Sequence, residues 1–290
     1  MPNVELEPKP RVSAFRRIAI GTWRDAYDPQ VYGALELRAD ALSDYIEDFR
    51  RVTGKRLTVT HLVGKAVAVA LAQVRDANSM LRFNKPYWRK RVGVFFSVAM
   101  QDPHTKETDL SGLRVFDVDK MSLGELVGAF EEQVEKVRTN KDPSLEKTRS
   151  SFSMVPYPLL NVMLDTIKHL TYTLNLDLSR FGMPRDPFGS VIVTNIGSLG
   201  LDEAYAPLMP YSKVPLLIAV GAVKQAPVVE DGKLAVGRIL RIQATFDHRL
   251  LDGKHASKLA GVLTDWLEHP YERFDPLPEA RSRATRAAVR

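Results

Sequence analysis

The chain contains no cysteine. Disulfides, a thiolate nucleophile and zinc–thiolate sites are therefore excluded. Long apolar runs are missing too, so nothing reads as a membrane span. The opening MPNVELEPKP is polar and proline-rich, unlike the basic-then-apolar leader of a secreted protein. The expectation is a cytoplasmic protein. Neither H-E-x-x-H nor G-x-S-x-G occurs. The six histidines form no ligand-spaced pair, since His248 and His255 lie seven apart across a predicted turn. No metal is expected. Internal repeats and low-complexity segments are also lacking.

What is present suits one sizeable globular body. Hydrophobic residues make up 44% of 290 positions and charged ones 26%, enough for a core without staples. The formal charge is +6, and part of the excess sits in a basic tail, 275–290, with four arginines in RSRATRAAVR. A solvated tail accounts for it. No RNA-reading aromatic motif or zinc-finger spacing accompanies the charge, so nucleic acid is not an expected partner. A phosphate-bearing acidic ligand would suit the balance, though charge alone cannot show one.

Hydrophobic periodicity lays out the elements. Residues 1–11 read as an extended arm and 30–37 (QVYGALEL) as a strand. Asp40 is placed to cap a helix carrying Leu42, Tyr45, Ile46, Phe49 and Val52 on one stripe, stopped by Gly54. From Leu62 to Val74 the chain is apolar almost all round, as in a buried helix. Strands are expected over 92–100 and 113–118, joined by the polar QDPHTKETDLSG. Ser122 and Glu125 form a capping box that opens a helix with Leu123, Leu126, Val127, Phe130, Val134 and Val137 on one face. In 152–178, Leu160, Met163, Leu164, Ile167, Leu170 and Leu174 recur at helical spacing. That stripe fits an amphipathic helix packed on the domain; a subunit contact, an acyl-chain pocket or a membrane face would use the same pattern. Strands return at 190–195, 216–221 and 236–246. A last helix turns Ala256, Leu259, Ala260, Leu263 and Leu267 inward. The sum is an α/β arrangement with a mixed sheet and five or six helices.

The last strand ends in ATFDHRLLDG (244–253), which brings Asp247, His248, Arg249 and Asp252 within six positions. A histidine at a strand-to-helix turn is well placed for proton transfer, because its reference pKa lies near neutrality. A braced charged turn would use the same residues, and pattern alone leaves both readings open.

The stretch Asp247-His248-Arg249-Leu250-Leu251-Asp252-Gly253 matches the D-H-R-x-x-D-G motif of the dihydrolipoamide acyltransferases, the E2 components of 2-oxoacid dehydrogenase complexes. VIVTNIGSLGLDEAYAPLMP (191–210) and LLIAVGAVKQAPVVEDGKLAVGRIL (216–240) follow other runs of that family in order and spacing. The resemblance is close over 189–270 and looser over 12–83, where FRRIAI, LTVTHLVGKAVAVALA and DANSML have counterparts. It implies a chloramphenicol-acetyltransferase-like two-layer α/β fold, with a mixed β-sheet, covering helices and a trimer that may belong to a larger assembly. It implies a transferase that moves an acyl group between coenzyme A and a dihydrolipoyl-like thiol or other small acceptor. His248 would take the thiol proton, and Thr194, where the family carries serine, would donate to the developing oxyanion across a subunit interface. Asp252 would brace the site by pairing with Arg16, backed by Arg17; Asp247 and Arg249 would brace the turn; Gly253 would be a backbone necessity. Asn195 is a candidate substrate contact. Acyl-CoA would be a substrate, with no covalently bound cofactor.

Departures from the family bear on the acceptor. The family's I-A-K-R-M reads IAIGTW at 18–23, and its G-L-V-V-P-V region is replaced by QDPHTKETDLSGLRVFDV. Residues 149–187 form an apolar helical insertion, expected to cover the acceptor end of the channel or a contact between trimers. With the catalytic resemblance starting near residue 12, a single acyltransferase domain over 1–290 is expected, without lipoyl or peripheral-subunit-binding domains. A lipoyl group would then come in trans, from a lipoyl protein or other 2-oxoacid dehydrogenase components. The alternative is an E2-like trimeric scaffold or partner-binding module with vestigial catalysis.

Overall fold

A computed structural model describes residues 2–11, 29–101, 108–138 and 156–277. In chain order the strands and helices begin with β1 (Leu6–Pro8), β2 (Gln30–Arg38), α1 (Asp40–Thr53) and α2 (Val59–Gln73). A hairpin of β3 (Ser79–Arg82) and β4 (Lys85–Arg89) leads to β5 (Gly93–Gln101) and β6 (Thr108–Phe116). Then come α3 (Leu123–Arg138), α4 (Tyr157–Lys168), β7 (Val191–Asn195) and β8 (Leu216–Val220). The chain continues through β9 (Lys224–Glu230), β10 (Lys233–Asp247), α5 (Gly253–Glu268) and the short α6 (Pro270–Arg273).

Seven strands form one mixed sheet in the order β2-β10-β8-β7-β5-β6, with β9 paired to the first half of β10. β7 runs parallel to both β5 and β8; the other pairs are antiparallel. Alternation along the strands decides the two faces. Val191 and Val193 of β7, Ile218 and Val220 of β8 and Ile242 of β10 join one large core with α1, α2, α3 and α5. Ile192 and Leu217 turn the other way, into a small cluster with Leu208 and Val214. α2 sits deepest: Leu62, Val63, Ala66, Val67, Ala70 and Leu71 are all essentially inaccessible. Each such leucine or valine contributes about 1.5–3 kcal/mol of burial free energy. Gly64 lets it sit that close, because a Cβ there would fall 2.4 Å from the ring of Phe96. A smaller antiparallel sheet, β1-β4-β3, stands apart and carries the N-terminal arm.

Several expectations are corrected. Ala39, not Asp40, occupies the cap of α1; Asp40 is the first helical residue, and its carboxylate accepts from the Arg38 guanidinium and the Arg238 N–H. Val52 ends the α1 stripe exposed, whereas Leu42, Tyr45, Ile46 and Phe49 are buried. β6 starts at Thr108, inside the expected loop, because residues from there onward pair with β5. The insertion helix also departs from its simple stripe. α4 runs into a π-helical turn, His169–Thr173, whose wider winding turns Thr171 and Tyr172 inward. Met163, Leu164, Ile167 and Leu170 stay half-buried and Leu174 is exposed, so Tyr172 anchors the segment, against Val4 and Met80. No helix among the described residues is long and apolar enough to cross a membrane.

Candidate active site

The residues at the end of β10 form a tight, self-supported turn. The Asp247 carbonyl accepts from the N–H groups of Leu250 and Leu251, at 3.0 and 2.9 Å. Its carboxylate takes a forked hydrogen bond from the Arg249 guanidinium, with Nε 2.9 Å from Oδ1 and Nη2 2.6 Å from Oδ2. Both side chains are buried. A buried charge persists only when paired and hydrogen-bonded, which this bidentate geometry supplies. Asp247 and Arg249 therefore brace the turn from within.

His248 projects half-buried from this frame. Its backbone N–H donates to the Pro29 carbonyl at 2.7 Å, tying the turn to the start of β2. Its ring Nδ1 lies 2.6 Å from the Leu251 carbonyl oxygen. A carbonyl can only accept, so Nδ1 carries the hydrogen. In the neutral tautomer with the hydrogen on Nδ1, the lone pair is on Nε2, the form a proton acceptor needs.

Thr194 occupies the C-terminal half of β7, between β5 and β8, and is half-buried. Among the described residues its hydroxyl has no hydrogen-bond partner. It does not meet His248 within the chain. The register aligns Thr194 with Ala219, and Ala219 with Gln243. His248 lies five residues beyond Gln243, or about 17 Å further along the strand direction. The two residues sit toward opposite ends of the strands, on either side of β8. Asn195, next to Thr194, spends its amide inside the fold: Nδ2 donates to Thr60 Oγ1 at 2.8 Å, and Oδ1 accepts from the Ser198 N–H at 3.0 Å. Its visible work is to join the end of β7 to α2.

Asp252 caps α5, accepting from the N–H groups of Lys254 and His255 at 3.1 and 3.2 Å. Arg16 and Arg17, the basic residues expected near it, lie outside the described residues. What the structure adds is His255, whose Nδ1 is 2.6 Å from Asp252 Oδ1. The Asp252 N–H also faces Nδ1, but at 3.3 Å, too long to compete with the shorter charge-assisted contact. The other ring nitrogen, Nε2, is 3.2 Å from Asp76 Oδ2. Asp76 further accepts from Lys9 Nζ at 2.5 Å and Trp88 Nε1 at 2.8 Å. Burial opposes its ionisation, yet hydrogen bonds from His255, Lys9 and Trp88 hold its carboxyl well below the ordinary carboxylate value. The sequence singles out His255 only as a histidine discounted for metal binding, and Asp76 not at all. The one local signal was the D-x-x-H spacing of Asp252 and His255, a capping-box pattern with histidine in place of the usual acid. Gly253 is a correction: it is the first residue of α5, without a left-handed backbone, and a Cβ there would meet open space. No backbone constraint demands glycine at that position.

Comparison with known proteins places this geometry in a family. The family model "2-oxoacid dehydrogenases acyltransferase (catalytic domain)" matches residues 11–162 and 188–274. The dihydrolipoyllysine-residue acetyltransferase component of the acetoin cleaving system of Bacillus subtilis is 24% identical over 217 residues, 75% of this chain. The chain spans 43% of that relative's length. A "probable dihydrolipoamide acetyltransferase" from Listeria monocytogenes superposes with a TM-score of 0.63 at 17% identity, covering 93% of this chain and 98% of that one. The dihydrolipoamide acetyltransferase of Azotobacter vinelandii, in which a serine, a histidine and an asparagine were investigated for their role in the catalytic mechanism, superposes at 0.61 with 21% identity. The two chains are covered to 89% and 88%. The fold is thus that of dihydrolipoamide acetyltransferase catalytic cores, and the chain belongs to the 2-oxoacid dehydrogenase acyltransferase catalytic-domain family.

Proposed function

We propose that the chain is a CoA-dependent acyltransferase domain, working as a homotrimer, in which His248 is the general base and Thr194 of a neighbouring copy stabilises the oxyanion. The observation that carries the reading is the 2.6 Å contact from His248 Nδ1 to the Leu251 carbonyl, which leaves Nε2 as the proton acceptor. In the proposed step Nε2 takes the proton of a thiol, either that of CoA or of a dihydrolipoyl-like acceptor. The sulfur attacks the carbonyl carbon of the thioester, and the carbonyl π pair moves onto oxygen. Thr194 donates to that oxygen. Collapse re-forms the carbonyl and expels the first sulfur, which recovers the proton from the imidazolium. A thiol near the reference pKa of about 8.5 is mostly protonated at neutral pH, so a positioned base is worth about 100- to 10,000-fold. An oxyanion donor adds about 100- to 1,000-fold.

The Azotobacter enzyme supports the assignment, since a serine, a histidine and an asparagine were chosen there. The histidine and asparagine stand at the four-residue separation of His248 and Asp252. Bracing of Asp252 by Arg16 belongs to the same proposal, as do a lipoyl group supplied in trans and partners of the 2-oxoacid dehydrogenase type. The family match runs to 162, so the part without a counterpart is 163–187; the apolar region 149–187 is proposed to cover the acceptor end of the site or a contact between trimers, since Leu159 and Val162 of α4 stand exposed. The test is turnover of acetyl-CoA with dihydrolipoamide and a panel of small thiols, comparing wild type with His248→Ala. The expected loss is at least about a hundredfold. Equal rates in the two proteins would overturn the assignment in favour of a vestigial scaffold.

A further inference from the structure

We propose that His255 is a positioning residue for His248, a role that rests on the reaction assigned above. His255 clamps Asp252 to Asp76 and thereby ties the catalytic turn to the N-terminal arm and the segment at 163–187.

The argument starts at the ring of His248. Its Nδ1 hydrogen is directed at an acceptor, the Leu251 carbonyl. That carbonyl belongs to the peptide joining Leu251 to Asp252, so any displacement of Asp252 moves the atom that orients the ring. Asp252 is held by the first turn of α5 and by His255 at 2.6 Å. Capping alone would need only the backbone of α5. The second nitrogen of His255, however, reaches Asp76, 179 positions away in sequence and just beyond α2. A carboxylate only accepts, so each ring nitrogen faces an acceptor and the imidazole is fixed from both sides.

Asp76 is itself anchored from a third direction. Trp88 donates to it from β4, and Lys9 from the end of the arm. The arm in turn is gripped near its start. The Val4 N–H donates to Asn175 Oδ1 at 2.6 Å, and Asn175 Nδ2 returns a bond to the Val4 carbonyl at 2.7 Å. Asn3 Nδ2 donates to the Thr171 carbonyl, and the Asp186 N–H donates to Asn3 Oδ1. Val4 is buried against Met80 and Tyr172. Of these, Thr171, Tyr172, Asn175 and Asp186 lie in 163–187, which the family model leaves unmatched between its two stretches. The far end of the clamp is therefore built by parts outside the family match, and its near end holds the family's motif.

The test uses the full-length protein with His255→Asn, Asp76→Asn and the double variant. A misplacement of about 1 Å at a reacting group costs about a hundredfold in rate, so kcat for acetyl transfer should fall about ten- to a hundredfold while KM for acetyl-CoA stays within about twofold. Because both residues act through one contact, the double variant should be no slower than the slower single variant. An activity-independent readout is the nitrogen NMR spectrum of 15N-labelled imidazoles: wild-type His248 should show only Nδ1 protonated, and His255→Asn a mixture of tautomers. Unchanged kcat, losses that multiply in the double variant, or an unaltered His248 tautomer would each overturn the clamp. If His255→Asn does not assemble, His255→Gln, which keeps a donor toward Asp252, is read by the same criteria. Absence of acyl transfer in the wild type would refute the assigned reaction, while the tautomer spectrum would still decide the clamp.

Discussion

Thr194 and His248 lie toward opposite ends of the strands of one sheet, about 17 Å apart along the strand direction, because β10 runs antiparallel to β8 while β7 runs parallel to it. One reacting carbonyl cannot touch both from a single chain. Symmetric association can close the gap by presenting the threonine of one copy to the histidine of the next. Co-assembly of Thr194→Ala with His248→Ala, each inactive alone, should therefore restore activity. With random mixing about one quarter of interfaces would carry both native residues, so recovery should approach about a quarter of the wild-type rate. No recovery from verified mixed assemblies would show that Thr194 and His248 do not share a site.

The donor role of Thr194 makes a chemical prediction. Thr194→Ser keeps a hydroxyl and should retain most of kcat, with a looser rotamer. Thr194→Val keeps the β-branched shape without the donor and should lose about 100- to 1,000-fold in kcat, with KM little changed. Similar rates for the two variants would remove the hydroxyl from the mechanism.

The Asp247–Arg249 pair predicts a stability effect rather than a kinetic one. Arg249→Met leaves a carboxylate buried without its forked partner. Breaking one side of a buried pair costs about 3–5 kcal/mol. Urea unfolding at pH 7 should show that loss, and a change below about 1 kcal/mol would mean the pair does not hold the turn.

His61 predicts an acid slope. Burial, helped by Arg50, lowers its pKa from 6.5 to about 4. The ring stands edge-on to Phe130, at 4.5 Å between centroids, and Nδ1 accepts from the Thr58 N–H at 3.1 Å. Above pH 6.5 the ring is neutral whether folded or unfolded, and contributes no slope. Between about 6.5 and about 4 only the unfolded chain gains the proton, so stability falls as pH falls, by up to about 1.4 kcal/mol per pH unit. His61→Leu should flatten unfolding free energy against pH in that window. An unchanged slope would show that another group sets it.

How much of this was legible in advance differs from element to element. The helix at 59–73 was plain because nearly every position is apolar, and the box at Ser122 and Glu125 because both partners lie within one turn. The β3–β4 hairpin was not. Its two turn residues, Phe83 and Asn84, both adopt positive φ, yet the pair lacks the glycine that normally marks such a turn. The insertion stripe misled because a π turn alters the winding that helical spacing assumes. For the site, the motif located His248, Asp247, Arg249 and Asp252, whose side-chain contacts to one another, Leu251, Lys254 and His255 are local. Asp76 and Lys9 could not be found that way, since Asp76 meets His255 179 positions away and Lys9 meets Asp76 67 positions away.

The sequence by itself determined the periodicity of strands and helices, the place of His248 at a strand's end, and the ionic brace two residues wide around it. These follow from backbone geometry and near neighbours, which any stretch of chain carries with it. Only the tertiary structure decided at which end of the sheet's strands each functional side chain sits and what His255 touches. Strand order and register arise from burying whole faces together, and that optimum depends on every strand and helix at once.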